Sequence, residues 1–213
     1  MAESKRTSPN LMKPTLQTAA GNPENQDRGL ILYDDQRVVL CVADGAGGLS
    51  GGKEAASMAV ELVRQNAAVM STADSCAEVL RQVDAAIAKD SIAGETTCAL
   101  AIITREQIFG ASVGDSGVWL IPDNGAHVDL TQAQQRKPFL GSGSAWPVSF
   151  QRPRQAGRLL LATDGLLKYT SAERILAACD EHSADVAARR LIELVRYPSG
   201  ALPDDVTVIL TAI

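Results

Sequence analysis

The chain has 213 residues, enough to bury the core of one domain or of two small ones. Its 46% hydrophobic and 21% charged residues are typical of a globular protein, and its net charge of −5 argues against binding to nucleic acid or to an anionic membrane. The sequence has no apolar stretch long enough to cross a bilayer, and residues 1–10 lack the apolar centre of a signal peptide. We therefore expect a cytoplasmic protein whose residues 1–12 form a flexible N-terminus.

The cysteines support the same compartment. The chain has four of them, far apart, within apolar patterns and without a CxxC pair: Cys41, Cys76, Cys98 and Cys179. Such residues are typical of reduced core thiols in a cytosolic protein.

The first part of the chain predicts three strands followed by two helices. The strands cover residues 15–19, 29–33 and 36–43, with a hairpin turn at Asp34-Asp35 between the last two. The first helix covers residues 53–67. The second begins at a capping box of Ser75 with Glu78 and carries one apolar stripe, formed by Val79, Leu80, Val83 and Ile87.

The second part predicts more strands, then two helices and a closing strand. The strands cover residues 96–104, 107–113, 117–121, 126–130, 147–151, 157–163 and 206–210. Residues 131–146 are polar and glycine-rich and are expected to form a short, flap-like excursion over the surface. Thr170 with Glu173 should cap one helix, and Ser183 should open the next, with Val186 among its inward residues.

This order of elements indicates an α+β fold. Consecutive strands joined by hairpins argue for antiparallel sheets, and the helix pairs must cover sheet faces. Because the sequence contains no repeat, low-complexity segment or linker, we expect a single domain over residues 13–213.

Carboxylates stand at several strand ends. Asp44 and Asp164 each end an apolar run and are followed by glycine, and Asp204 precedes the last strand. Carboxylates pointing into one cleft would repel one another, and their pKa values would rise, unless cations were bound. In a chain with two histidines, oxygen ligands of this kind favour hard divalent cations. Two such metals about 4 Å apart suit phosphoryl transfer.

Six short motifs carry a family resemblance. They are Asn25-Gln26-Asp27, Asp44-Gly45-Ala46-Gly47-Gly48, Gly94-Glu95-Thr96-Thr97, Gly114-Asp115-Ser116, Ala162-Thr163-Asp164-Gly165-Leu166 and Asp204-Asp205-Val206-Thr207-Val208. In this order they resemble the successive motifs of the metal-dependent protein phosphatase (protein phosphatase 2C) family, from about residue 15 to residue 210. The resemblance implies a four-layer αββα sandwich, in which two antiparallel sheets pack face to face with helix pairs outside.

The resemblance also implies an activity. Family members hydrolyse phosphoserine and phosphothreonine in proteins, by direct attack of a hydroxide that bridges two metal ions, either Mn²⁺ or Mg²⁺. We therefore expect a phosphorylated protein as the substrate, in opposition to a serine/threonine kinase. We expect the enzyme to be a monomer.

Roles for individual residues follow from the resemblance. Asp44 would bridge both metals, the Gly45 carbonyl would bind one of them, and Asp164 with Asp204 would hold the other. The resemblance also implies roles for three residues besides these ligands. Gln26 and Asp27 would orient metal-bound water, and Asp115 matches a residue that binds a weak third metal in bacterial members.

The sequence departs from the family pattern around the substrate. Asn22 stands where an arginine often clamps the phosphate, and the candidates to replace that arginine are Arg28, Arg136 and Lys137. Ala46 stands where some relatives have a histidine, so the sequence names no general acid. Lys168 replaces a second acidic ligand of the third metal, which should therefore bind poorly.

Two other functions fit parts of the sequence. Residues 47–53 match the spacing of a P-loop, which would make the protein a nucleotide-binding protein, although Glu54 replaces the required serine or threonine. The absence of the usual arginine at position 22 is also compatible with a catalytically weak or dead family member that binds a partner. Retention of the three acidic residues opposes that alternative, because buried acids without metal are costly.

Overall fold

The computed structural model describes residues 12–34, 36–46 and 51–213. Most of the predicted N-terminal segment and residues 47–50 of the P-loop-like glycine stretch lie outside these ranges. Ten strands are described: β1 (Thr15–Ala19), β2 (Arg28–Tyr33), β3 (Val38–Ala43), β4 (Cys98–Ile103), β5 (Gln107–Val113), β6 (Gly117–Pro122), β7 (Val128–Asp129), β8 (Val148–Pro153), β9 (Gly157–Ala162) and β10 (Val206–Ala212).

Five α-helices accompany these strands in the described ranges: α1 (Gly52–Gln65), α2 (Ala73–Ile87), α3 (Asp164–Leu167), α4 (Ala172–Cys179) and α5 (Ala184–Glu193). Four of them match predicted helices. The four-residue α3 was not predicted, because residues 157–163 read as a strand that simply ends at Asp164. In the structure the chain turns into a helix at that residue.

The strands form two five-stranded antiparallel sheets. One has the order β1-β10-β9-β6-β7 and the other the order β2-β3-β4-β5-β8. Helices α1 and α2 cover the outer face of the second sheet, and α3, α4 and α5 cover the outer face of the first. A third apolar cluster fills the space between the two sheets. The four-layer αββα sandwich is thereby confirmed.

The continuous apolar run of β3 is explained by burial on both sides. Val38, Leu40 and Val42 point into the layer between the sheets, whereas the alternate residues Val39, Cys41 and Ala43 pack against the helices. A strand that is covered on both faces has no solvent side to be polar. Its six residues are all buried, and the strand ends immediately before Asp44.

Three local predictions were wrong. The capping box of α2 is formed by Thr72 and Ser75, because Thr72 stands one step outside the helix and its hydroxyl accepts from the Ser75 N–H. Helix α4 begins after Ser171 and not at Thr170, and it has no side-chain cap. Val186 on α5 is 45% exposed, whereas its neighbours Ala187 and Ala188 are buried.

The cysteine prediction is consistent with the structure, since all four cysteines are buried free thiols. Two of them, Cys41 and Cys98, touch across β3 and β4 with a sulfur–sulfur distance of 3.4 Å. Among the described residues, no helix combines the length and the apolar character needed to span a membrane.

Candidate active site

The candidate site is a cleft at one end of the sandwich, where elements of both sheets converge. Asp44 follows β3 of one sheet, whereas Asp164 follows β9 and Asp204 precedes β10 of the other. All three residues line a single cavity of about 340 Å³. The fold therefore brings together acidic residues that are up to 160 positions apart in the chain.

The backbone of Asp44 is clamped from the neighbouring strand. The Asp44 carbonyl accepts hydrogen bonds from the Thr97 N–H at 2.8 Å and from the Thr96 hydroxyl at 2.8 Å. The Asp44 N–H donates to the Thr97 hydroxyl at 3.1 Å, and that hydroxyl is also bonded to the buried Ser116 at 2.7 Å. Thr96 and Thr97 thus act on the site by fixing the main chain of Asp44.

The glycines after Asp44 and Asp164 are required by packing. A Cβ at Gly45 would overlap the backbone of Gly52, where α1 begins. A Cβ at Gly165 would overlap the carbonyl of Asp205. The close approach of two backbone segments is therefore one reason why glycine follows each of these aspartates.

Asp205 organises the loop beside the cleft. Its side chain is 4% exposed and accepts three backbone hydrogen bonds, from Gly21 at 2.8 Å, Asn22 at 3.1 Å and Gln26 at 2.8 Å. The neighbouring Asp204 instead accepts from the Asn22 amide at 3.2 Å. Two adjacent aspartates therefore have different tasks, one holding a loop and the other lining the cleft.

Asp27 lies buried beneath the cleft. Its Oδ2 accepts a hydrogen bond from the Thr163 hydroxyl at 2.8 Å, and the same hydroxyl accepts from the Thr207 N–H at 2.9 Å. This chain of contacts ties Asp27 to the ends of β9 and β10. Its other oxygen, Oδ1, has no hydrogen-bond partner in the described ranges, and neither does the buried Oε1 of Gln26.

The acidic residues of the site raise one another's pKa values. Burial, together with the charges of neighbouring carboxylates, raises the pKa of the Asp44 carboxyl to about 10. The neighbours are Asp27, Asp164 and Asp204. Burial likewise raises the pKa of Asp27 to about 7, and burial with the charge of Asp115 raises the pKa of Asp164. Without a bound cation, the state of lowest free energy at neutral pH has a proton on the Asp44 carboxyl, which lies within hydrogen-bond reach of Asp164.

The donor set fits divalent cations by its chemistry. In the described part of the chain, no three acidic, histidine or cysteine side chains form a ready-made cage for one ion. Mg²⁺ does not need such a cage, because it keeps several waters and binds proteins through one or two carboxylates. The unpartnered oxygens of Gln26 and Asp27 are acceptors, and hydrated cations offer the donors that they lack. A dication would also replace the proton that Asp44 otherwise retains.

Part of the cleft wall comes from residues 131–146. Arg136 and Phe139 of this segment line the cavity, and the Arg136 Nε donates to Asp115 Oδ2 at 2.7 Å. Leu140 pairs with Thr96 through two backbone hydrogen bonds of 3.0 Å. The predicted flap-like excursion is therefore hydrogen-bonded to Thr96, the residue whose hydroxyl binds the Asp44 carbonyl.

The far end of this segment is anchored by a buried acid of α2. Asp84 is 5% exposed, and its carboxylate accepts from the backbone N–H groups of Gly141 at 2.8 Å, Gly143 at 3.0 Å and Ala145 at 3.1 Å. We did not predict this role. The sequence did contain a signal for it, namely an acid on the apolar stripe of α2 between Leu80 and Ile87.

The other two basic candidates, and Lys168, do not line the cavity. Arg28 donates to the Ser57 hydroxyl and to the carbonyls of Asn25 and Asp27. Lys137 lies over the ring of Phe139, with its Nζ 5.4 Å from the ring centre. Lys168, whose side chain is 52% exposed, has its Nζ 4.0 Å from Asp164 Oδ2. None of these three is among the residues that line the cleft.

Comparison with known proteins identifies the family. The family model described as "Protein phosphatase 2C" matches residues 18–193, which is most of the chain. The chain belongs to the protein phosphatase 2C family. It is therefore an enzyme, a metal-dependent phosphatase acting on phosphoserine and phosphothreonine. No curated protein sequence matches this phosphatase closely enough to count as a relative.

Solved structures share the fold of this phosphatase. A bacterial serine phosphatase has a TM-score of 0.82 and 19% identity, with 95% of this chain and 98% of that chain covered. The serine/threonine phosphatase Stp1 from Staphylococcus aureus has a TM-score of 0.81 and 18% identity, with 95% of each chain covered. The catalytic domain of the phosphatase PstP, in complex with two manganese ions, has a TM-score of 0.77 and 22% identity, with 94% of this chain and 97% of that chain covered.

The P-loop alternative conflicts with the sheet. A P-loop requires a parallel βαβ unit, whereas β3 and β4 pair antiparallel on either side of α1 and α2. In addition, Lys53 of the match forms an ion pair with Glu24 at the start of α1.

Proposed function

We propose that this cleft is the phosphatase centre, with Asp44 shared between two divalent cations. The supporting observation is that one cleft brings Asp44 together with Asp164 and Asp204. Burial and the neighbouring carboxylates raise the pKa of Asp44 there to about 10. Such a carboxyl is stable as an anion only beside added positive charge. Gly45, Asp164 and Asp204 are the further groups that would hold the ions. When bound, the ions activate water and neutralise the charge that builds on the phosphoryl oxygens.

A few further residues would orient water at this centre and limit the binding of a third ion. Asp27, held by Thr163, and Gln26 offer acceptor oxygens that orient water. A third ion binds weakly at most, because Asp115 is already paired with Arg136 and Lys168 is close to Asp164. We assign Mn²⁺ or Mg²⁺ to the site, and the manganese ions in PstP support this choice.

The biological setting is part of the same proposal. We assign residues 13–213 to one catalytic domain that acts as a cytoplasmic monomer on a protein phosphorylated by a serine/threonine kinase. The buried thiols support a reducing compartment. Light scattering of the purified protein tests the oligomeric state.

The substitution Asp44→Asn tests the assignment of the centre. The amide keeps the size of the side chain but removes the charge that two cations would share, so turnover should fall about a thousandfold or more. The measurement is hydrolysis of p-nitrophenyl phosphate and of a phosphothreonine peptide, with Mn²⁺ and with chelator. Circular dichroism checks that the fold is retained.

Asp123→Asn provides a matched control, because Asp123 is exposed in the turn after β6. It removes the same charge and should leave turnover unchanged. Full activity of the Asp44→Asn variant would refute the role of Asp44. A folded wild-type protein without metal-dependent turnover would favour the scaffold alternative.

A further inference from the structure

The cleft has an unusual balance of charge for a site that binds phosphate esters. Its lining contains five aspartates and one basic residue: Asp44, Asp115, Asp164, Asp204, Asp205 and Arg136. A phosphorylated serine or threonine carries a charge of about −1.5 to −2 at pH 7. Cations near Asp44 would compensate part of the acidic charge, but a group is still needed to bind the phosphoryl oxygens that face away from them.

We propose that Arg136 binds the phosphoryl group of the substrate and replaces the arginine expected at position 22. The inference rests on the proposed function and adds to it the residue that recognises the phosphate. It assigns this task to the segment of residues 131–146 instead of to the loop after β1.

Position 22 does not perform this task. The Asn22 side chain donates to Asp204 Oδ1 at 3.2 Å, so its amide is directed at a carboxylate of the cleft. Its backbone N–H is bound by Asp205. A neutral amide in this position also contributes no charge to offset that of a phosphate.

Arg136 has the geometry required to hold two anions at once. Its Nε donates to Asp115 Oδ2 at 2.7 Å, so one edge of the guanidinium is paired with a carboxylate that lines the cleft. Within the described ranges no hydrogen bond engages its Nη1 or Nη2, and the side chain is 68% exposed. These two nitrogens carry four N–H donors, and a guanidinium binds phosphoryl oxygens in pairs.

The main chain on both sides of Arg136 is anchored. Before it, the Gln134 N–H donates to the Thr131 carbonyl at 2.8 Å, and the side-chain amide of Gln134 donates to the Ser116 carbonyl at 2.8 Å. After it, Leu140 pairs with Thr96, and Asp84 holds the backbone from Gly141 onward. A side chain carried on an anchored segment loses less entropy when it binds a ligand.

Phosphate affinity of position-136 variants provides the test. Inorganic phosphate is titrated calorimetrically into Mg²⁺-loaded wild type, Arg136→Ala, Arg136→Lys and the control Arg105→Ala, which removes a charge at the other end of β4. Phosphate affinity should fall about tenfold to a hundredfold in Arg136→Ala and less in Arg136→Lys, which keeps the charge but loses the planar fork. The control should bind as the wild type does. For p-nitrophenyl phosphate, KM should rise more than kcat falls.

The double variant Arg136→Ala/Asp115→Asn separates loss of a binding group from exposure of a repelling carboxylate. We expect it to remain weak in phosphate binding, and recovery of wild-type affinity would overturn the inference. Affinity of Arg136→Ala within twofold of wild type, or a wild type that does not bind phosphate, would overturn it as well. If phosphate binding depends on Arg136 but the wild type shows no turnover, the inference stands and the proposed function fails.

Discussion

At the scale of single residues, neighbouring acids in the last motif have opposite roles. Asp204 faces the cleft, whereas Asp205 is buried and gathers three backbone N–H groups of residues 21–26. The sequence marked Asp204 by its place before the last strand, and the family resemblance implied its role as a metal ligand. It did not indicate that Asp205 is the structural partner of a loop almost two hundred residues away, since that contact exists only in the folded chain.

Substitution of Asp205 should therefore act through the loop. In Asp205→Asn only one of the two side-chain oxygens remains, so an NH₂ group faces a backbone N–H and at least one buried hydrogen bond is lost. The free energy of unfolding should fall by about 1–3 kcal/mol. Urea denaturation measures the change, and Asp123→Asn, an exposed aspartate, controls for the charge. An unchanged midpoint would show that the loop does not depend on this carboxylate.

At the scale of elements, the sequence predicted the apolar strands and helices well. Successive side chains of β3, β4 and β9 pack alternately between the sheets and against the helices, so both faces of each strand are buried. Such strands are continuous apolar runs, which can be recognised from the sequence alone. Helix starts were less readable. More than one hydroxyl residue stands near the starts of α2 and α4, and only the backbone geometry decides, for example, whether Thr72 or Ser75 is the cap of α2.

The site was predictable only in part for a related reason. Each strand-end acid has an apolar run next to it in the sequence, so Asp44, Asp164 and Asp204 could be predicted as site residues. Contacts that connect distant segments carry no local mark, as with the pairing of Arg136 with Asp115. The anchoring of residues 141–145 by Asp84 is intermediate, because an acid on an apolar helical stripe indicates a buried partner but does not identify it.

Helix α2 and residues 141–145 should consequently behave as one unit. Asp84→Asn removes an acceptor from a carboxylate that binds three backbone N–H groups, so these amides should exchange hydrogen faster while those of α2 stay protected. Hydrogen exchange with mass spectrometry measures both segments. Gln82→Ala, on the exposed side of α2, is the control and should leave the segment protected. Equal protection in both variants would contradict the anchoring role.

At the scale of the whole molecule, the acid cluster links stability to pH and to metal. The pKa of Asp27 is raised to about 7 and that of Asp44 to about 10, from 3.8 in each case. Between pH 3.8 and these raised pKa values, the folded state holds protons that the unfolded state has released. Stability from these groups is therefore complete below about pH 4 and is lost as pH rises through the folded pKa values. Exposed carboxylates with lowered pKa, such as Glu61 and Asp90, act only at lower pH.

The metal-free protein should thus lose stability as pH rises from 5 to 8. We expect a decrease of a few kcal/mol in the free energy of unfolding, since each pKa unit corresponds to about 1.4 kcal/mol. Added Mn²⁺ should restore more stability at pH 8 than at pH 5, because at pH 5 it must displace protons from the same carboxyls. Urea unfolding at pH 5 and at pH 8, each with chelator and with Mn²⁺, measures the four free energies of unfolding.

The Asp44→Asn variant is the control. Because its side chain at this position cannot ionise, both the dependence of stability on pH and the stabilisation by Mn²⁺ should be smaller than in the wild type. A wild-type protein whose metal-free stability increases over this range would contradict the repulsion on which the metal assignment depends.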